Sequence, residues 1–127
     1  MKYIIITLLL LQSLYAKHLH KEKYYQTIFC NKMNGIIEYR LPDKSRIDCL
    51  TSTYAIEVDW ANKWHEGIGQ SLYYGLMSDK KPGVVLIIEN PQKEQKYIRK
   101  ISKVSKSQKI QVWTIDKNLV IKRLRKE

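Results

Sequence analysis

Soft metal ligands are scarce in this chain. Two cysteines and three histidines are scattered over 127 residues, with no C-x-x-C or H-x-x-x-H spacing, which excludes the usual zinc sites. Long apolar stretches are scarce too. Ile4 to Leu11 is far short of the roughly 20 residues that a spanning helix needs, and no second apolar span follows. Internal repeats and low-complexity linkers are absent, so the chain reads as one domain with one modest core. Acidic residues are few: 12 Asp and Glu against 23 Lys and Arg, for a net charge of +11. Such an excess favours an anionic partner, either nucleic acid or an anionic membrane surface, although it also suits a basic protein whose charge only keeps it dispersed.

What is present begins with a targeting signal. Lys2, the apolar run Ile4 to Leu11 and then Ser13-Leu14-Tyr15-Ala16 follow the order of a secretory signal peptide. Residues 1–16 are therefore set apart from a domain over residues 17–127, with cleavage expected after Ala16 and no stable membrane insertion afterwards. An uncleaved anchor or a buried first helix are the alternatives. Export, to a periplasm or the outside, changes the reading of Cys30 and Cys49. In an oxidising compartment two cysteines suggest one disulfide, while two independent buried thiols stay open.

Periodicity supplies the elements. Tyr25, Ile28 and Phe29 place a helix over Glu22 to Met33, ended by Asn34-Gly35. Strands are expected at Ile36 to Leu41, Arg46 to Leu50 and Tyr54 to Trp60, with turns at Pro42 to Ser45 and Thr51 to Thr53. Trp64, Ile68, Leu72 and Leu76 recur at i, i+4 and predict a helix over about Asn62 to Met77, broken by Lys80-Lys81-Pro82-Gly83. Val84 to Glu89 is apolar throughout, as in a strand buried on both faces. Pro91 opens a basic helix to about Ser105, Ile110 to Ile115 is a last strand, and Lys117 to Glu127 is a basic tail. The order α-β-β-β-α-β-α-β predicts an α/β fold with a mixed sheet and helices on both faces.

The few acids fall in an informative pattern. Side chains alternate along a strand, so Glu57 and Asp59 share one face of the third strand with Ala55. Asp48 lies opposite Ile47 and Cys49, and Glu38 opposite Ile37 and Tyr39. If the three strands pair in sequence, Glu38, Asp48 and Glu57 converge. Carboxylates brought together repel and raise one another's pKa, and a hard cation bound through oxygen removes that cost. The alternative is the polar outer face of a meander, with Arg40, Lys44 and Arg46 as ion-pair partners.

Glu38, Asp48 and Glu57-Val58-Asp59, in an α-β-β-β-α-β order, resemble the PD-(D/E)XK nuclease superfamily, whose pattern is an aspartate on one strand and an acid-x-lysine on the next. Gln70-Ser71-Leu72-Tyr73-Tyr74 is similar to the Q-x-x-x-Y element of its RecB-like branch. The resemblance covers roughly Glu22 to Glu89. It implies a restriction-endonuclease-like αβββαβ core, with magnesium (or manganese), one or two ions, held by Asp48 and Glu57. Glu38 would assist through the metal or a bound water, and Gln70 and Tyr74 would orient the site or touch the substrate backbone. The third motif position here is Asp59 instead of lysine. Lys63, four residues on, is placed to supply the missing charge; without it the chain would bind DNA and not cut it.

The expected activity is metal-dependent hydrolysis of DNA phosphodiester bonds. Lys93, Lys96, Arg99, Lys100 and Lys103, with the tail from Lys122 to Lys126, are the candidate contacts to the phosphate backbone, largely independent of sequence, although a solvated basic face fits them equally. Trp60 and Trp64 fit base stacking less well than core or rim packing, and His65 beside Glu66 reads as a surface residue. Two other readings stand beside the nuclease: a DNA-binding module on the same fold, and a basic envelope protein that binds another partner.

Overall fold

The computed structural model describes residues 17–124; the expected targeting segment and the last three residues lie outside them. Helix α1 (Glu22–Lys32) precedes strands β1 (Ile36–Arg40), β2 (Arg46–Leu50) and β3 (Tyr54–Trp60). A 3-10 turn (Ala61–Lys63) leads into α2 (Trp64–Ser78). Then come β4 (Lys81–Ile88), α3 (Pro91–Gln108), β5 (Gln111–Asp116) and β6 (Ile121–Arg123). The strands form one sheet in chain order, β1 to β6. β1, β2 and β3 pair antiparallel, β3, β4 and β5 pair parallel, and β6 returns antiparallel along β5. The protein is α/β, with a mixed six-stranded sheet flanked by helices on both faces.

Alternation along the strands divides the core in two. Ile56, Val58, Val85, Ile87, Trp113 and Ile115 face α1 and pack on Tyr25 and Phe29. Val84, Leu86, Ile88 and Val112 face the other way, toward α2 and α3, where Trp64, Ile68, Ile98 and Ile101 cover them. β4 is thus buried on both sides, which is why Val84 to Ile88 has no polar alternate. α3 starts where its sequence says it should. The Asn90 side chain accepts from Lys93 N, and the Glu94 carboxylate reaches back to Glu89 N and Asn90 N, a reciprocal cap with Pro91 at the first helical position.

Three boundaries differ from the sequence reading. Asp79, in the left-handed conformation, ends α2. Lys81, Pro82 and Gly83, read as a breaker, are instead the first residues of β4, paired to Tyr54, Ala55 and Ile56. Gly83 is there because a Cβ would come within 2.9 Å of the Trp113 ring. Part of the basic tail is strand β6, held by Leu124 N to Val112 O and by Arg123 donating to Gln111 and Tyr54. Among the described residues, no helix is long and apolar enough to cross a membrane.

Cys30 and Cys49 form a disulfide that ties α1 to β2, with Cα atoms 5.5 Å apart. Gly35 sits against it: a Cβ there would lie 2.5 Å from Cys49 Sγ and 2.7 Å from Cys30 Sγ. The bridge spans 19 residues, and closing a loop of that size stabilises by about 3 kcal/mol in a chain-entropy account. Cys30→Ser with Cys49→Ser should therefore lose about 3 kcal/mol in urea denaturation, and the wild type should lose a similar amount under reductant. Equal midpoints with and without reductant would count against a stabilising bridge.

Candidate functional site

The β2–β3 ladder runs only through Leu50↔Ala55 and Cys49↔Ile56. One step further the strands would place Asp48 opposite Glu57, and there the backbones part. Side chains fill the gap. Asp48 Oδ2 accepts from Val58 N at 2.9 Å, and Glu57 Oε1 accepts from Asp48 N at 3.3 Å. Each carboxyl group also perturbs the titration of the other. The register Glu57↔Val84 and Asp59↔Leu86 turns both acids toward α2. Asp59 Oδ2 lies 3.4 Å from the point a Cβ on Gly67 of α2 would occupy.

Burial there is deep. Glu57 is 4% exposed and Asp59 7%, and Asp48 is half-buried. Among the described residues, no Lys, Arg or His nitrogen lies within ion-pair distance of any of the three; the ion pairs found engage only Glu38 and Glu89. Buried carboxyls without a cation hold their protons. Burial and then the Asp48 charge push Glu57 well up. Burial also raises Asp48, against the hydrogen bonds it accepts from Val58 and Glu57. Asp59 is pushed up to about 7 by burial and by the charges of Glu22, Glu66 and Asp48, with Lys63 opposing.

Glu38 goes elsewhere. Its backbone is left-handed, φ 56°, although the β1–β2 register is the same on either side of it. Its carboxylate meets α1, accepting from Lys23 Nζ at 3.1 Å and Gln26 Nε2 at 3.2 Å, with Arg46 at 3.9 Å. Burial raises its pKa, but Lys23 and Gln26 outweigh it and the net shift is downward. Glu38 therefore reaches Asp48 through its field, not by contact. Gln26 also donates to Asp48 O and so fixes the backbone at the gap.

The remaining expected residues fall around this pair. Tyr74 is half-buried, and its hydroxyl is raised first by burial and then by the Glu57 charge, with Asp48 adding to it. Gln70, one turn earlier on α2, is exposed, and no side-chain hydrogen bond is found for it among the described residues. Lys63 closes the 3-10 turn, exposed, and its charge acts on Asp59 and Glu22. Lys93, Lys96, Arg99, Lys100 and Lys103 all stand on the exposed side of α3, away from the buried Ile101 and Ser105. Trp60 packs on the α1 core and stacks on His18, and Trp64 packs on the α2–α3 core. Asp59, which alternation put on the Glu57 face, completes the buried acids. Glu22 was not legible as a member of the site: in the first turn of α1, its carboxyl is raised by burial and by Asp48. An acid in a first helical turn reads from sequence only as a partner of the helix dipole.

The donor set is oxygen only, which suits a hard cation. No group of three or more His, Cys, Asp or Glu side chains among the described residues is placed to hold a metal ion. Magnesium asks for less, since one or two carboxylates with waters and substrate phosphate suffice, and Asp48 and Glu57 are two carboxylates on adjacent strands. No family model matches the chain, and no curated protein or solved structure matches it either.

The raised acids carry a stability signature. In the metal-free fold Glu57 and Asp59 keep protons that the unfolded chain has released above the usual carboxylate range of about 4. Stability must then fall as pH rises from that range through about 7. Glu38 and Glu89, held low, act with the opposite sign and only below that window. In EDTA the melting temperature should drop by several degrees between about pH 5 and about pH 7.5, and Asp59→Asn should flatten the decline. A melting temperature that rises over this window would contradict the raised titrations of Glu57 and Asp59.

Proposed function

We propose that this chain is a metal-dependent nuclease that hydrolyses phosphodiester bonds of DNA, built on a restriction-endonuclease-like core. The observation that carries the reading is the pair of buried Glu57 and half-buried Asp48, set where β2 and β3 part and left without a cation among the described residues. A protein gains nothing in stability from such a pair; a divalent ion held between the two carboxyl groups gives it a use. The chain order, a three-stranded antiparallel meander followed by a helix and a parallel strand, supports the finer fold assignment.

Asp48 and Glu57 would hold magnesium or manganese, which when bound lowers the pKa of a water and stabilises charge on phosphate oxygens. Lys63, whose charge reaches Asp59, stabilises negative charge developing on the phosphate. The Tyr74 hydroxyl, which feels the Glu57 charge, orients the site, and Gln70 meets the substrate backbone at the rim. The lysines of α3 supply affinity without sequence preference, so binding should weaken steeply with salt.

Nicking of supercoiled plasmid by the purified protein, with magnesium or manganese and with EDTA, tests the reading. EDTA-sensitive nicking is expected. Binding without cleavage would transfer the assignment to a DNA-binding module on this fold, a reading that Asp59 in the lysine position favours. We also propose export, consistent with the disulfide; intact mass from an envelope fraction should begin at Lys17, and an unprocessed cytosolic chain would reject it.

A further inference from the structure

A cavity of about 740 Å³ opens at the carboxyl ends of β4 and β5, bordered by Lys17, Asn62, Lys93, Lys96, Tyr97 and Lys117. Its volume is that of a small-molecule site, and the carboxyl ends of parallel strands are where open α/β sheets bind ligands. Two carboxylates also line it, but both are committed to the fold. Glu89 accepts from His18 Nδ1, Leu19 N and Tyr25 OH, and Glu94 accepts from Glu89 N and Asn90 N. At the helix start Lys93 N donates to Asn90 Oδ1 and Glu94 N to Asn90 O. No acceptor is found among the described residues for the ammonium groups of Lys17, Lys93, Lys96 and Lys117. Four lysines and two carboxylates thus line one concave space, and the positive charges outnumber the negative ones there.

The wall of this space is built, not incidental. His18 stacks on Trp60 at 3.4 Å and is hydrogen-bonded to Glu89, which seats the segment 17–19 against the ends of β3 and β4. The Tyr97 ring lies under Lys96 Nζ, 5.1 Å from its centroid, and offers an aromatic surface beside the charges. Asn62 borders the cavity, and its neighbour Lys63 acts on the acids of the candidate site.

We propose that this cavity binds a phosphate monoester, as carried by a mononucleotide or by the phosphorylated end of a DNA strand. A monoester bears about −1.5 to −2 charge at pH 7 and three acceptor oxygens, against one negative charge for each internal diester. Four lysines converging on one space favour the more highly charged group, whereas an extended basic face would treat every internal phosphate alike. Only the choice between the two sources rests on the nuclease reading; the charge argument does not.

The test needs no cleavage. Wild-type protein in EDTA is titrated, at moderate salt, into short single-stranded oligonucleotides ending in a 5′-phosphate, a 3′-phosphate or hydroxyls only. The expected result is about tenfold tighter binding of one phosphorylated form, the worth of roughly 1.4 kcal/mol of added charge-assisted contact. Lys93→Ala with Lys117→Ala should erase that preference. Lys103→Ala, outside the cavity lining, should weaken all three forms alike. Competition assigns the source: a mononucleotide that displaces the phosphorylated strand at similar concentration identifies a free nucleotide, and failure to displace identifies a strand end. Inorganic phosphate serves as the control for simple charge. Equal binding of phosphorylated and hydroxyl ends, or a preference that survives the double substitution, overturns the proposal. Because no metal is present, neither outcome depends on whether the Asp48–Glu57 site cuts DNA.

Discussion

Asp48→Asn and Glu57→Gln should each abolish metal-dependent cleavage while leaving the fold and most DNA binding in place. Both changes keep the one contact the backbone needs. An amide oxygen at position 48 still accepts from Val58 N, and one at position 57 from Asp48 N, so the gap between β2 and β3 stays filled. What is lost is the negative charge that holds a divalent ion. A metal contributes several kcal/mol of charge stabilisation in a transition state, and at 1.36 kcal/mol per decade the rate should fall by about 10³-fold or more. Stability in EDTA near neutral pH should stay level or rise, because a buried acid no longer opposes its neighbour. Asp48→Ala is the contrasting variant: it strands the Val58 N–H and should cost about 1–3 kcal/mol. Full cleavage by Asp48→Asn and by Glu57→Gln would end the assignment of these two residues as the metal site.

Lys63→Ala should slow cleavage by about 10²-fold, the usual effect of removing one preorganised electrostatic stabiliser, with little change in affinity for DNA. Lys63→Arg should recover part of the rate, since the charge remains. An independent readout exists in the acids. The Lys63 charge holds Asp59 below the value that burial and its acidic neighbours would set, so its removal should move the Asp59 titration further up. If that titration moves but the rate does not, Lys63 tunes the acids without touching the phosphate, and another cation must stabilise the developing charge. If neither moves, Lys63 points away from the site, and the DNA-binding reading becomes the better account of a chain with Asp59 in the lysine position.

Local periodicity alone reached far into this protein. Alternation along Tyr54 to Asp59 put Glu57 and Asp59 on one face and Ile56 and Val58 on the other. The spacing of Tyr25, Ile28 and Phe29 placed α1, and the unbroken apolar run from Val84 marked a strand covered on both sides. Those properties follow from side-chain directions that repeat every 2 or 3.6 residues, so residue order is enough to state them. The basic face of α3 is legible for the same reason, since Lys93, Lys96, Lys100 and Lys103 recur at helical spacing.

Other features were decided only when the elements met. Whether Asp48 and Glu57 pair across a closed ladder or wedge into an open one depends on where two strands diverge, and no single strand encodes that. Glu38 has the right phase to join them, yet a left-handed backbone and the pull of Lys23 and Gln26 carry it to α1. Glu22 joins the site because α1 brings it there from a distant place in the chain, whereas Asp59 is already beside Glu57 on β3. The return of β6 along β5, and the seating of His18 on Trp60 and Glu89, arise from contacts some 40 to 70 residues apart in sequence or across one short turn, as do the lysines that meet around the cavity. Alternation and helical spacing determine which way a side chain points; the company it keeps is set by packing, and burial then sets its charge.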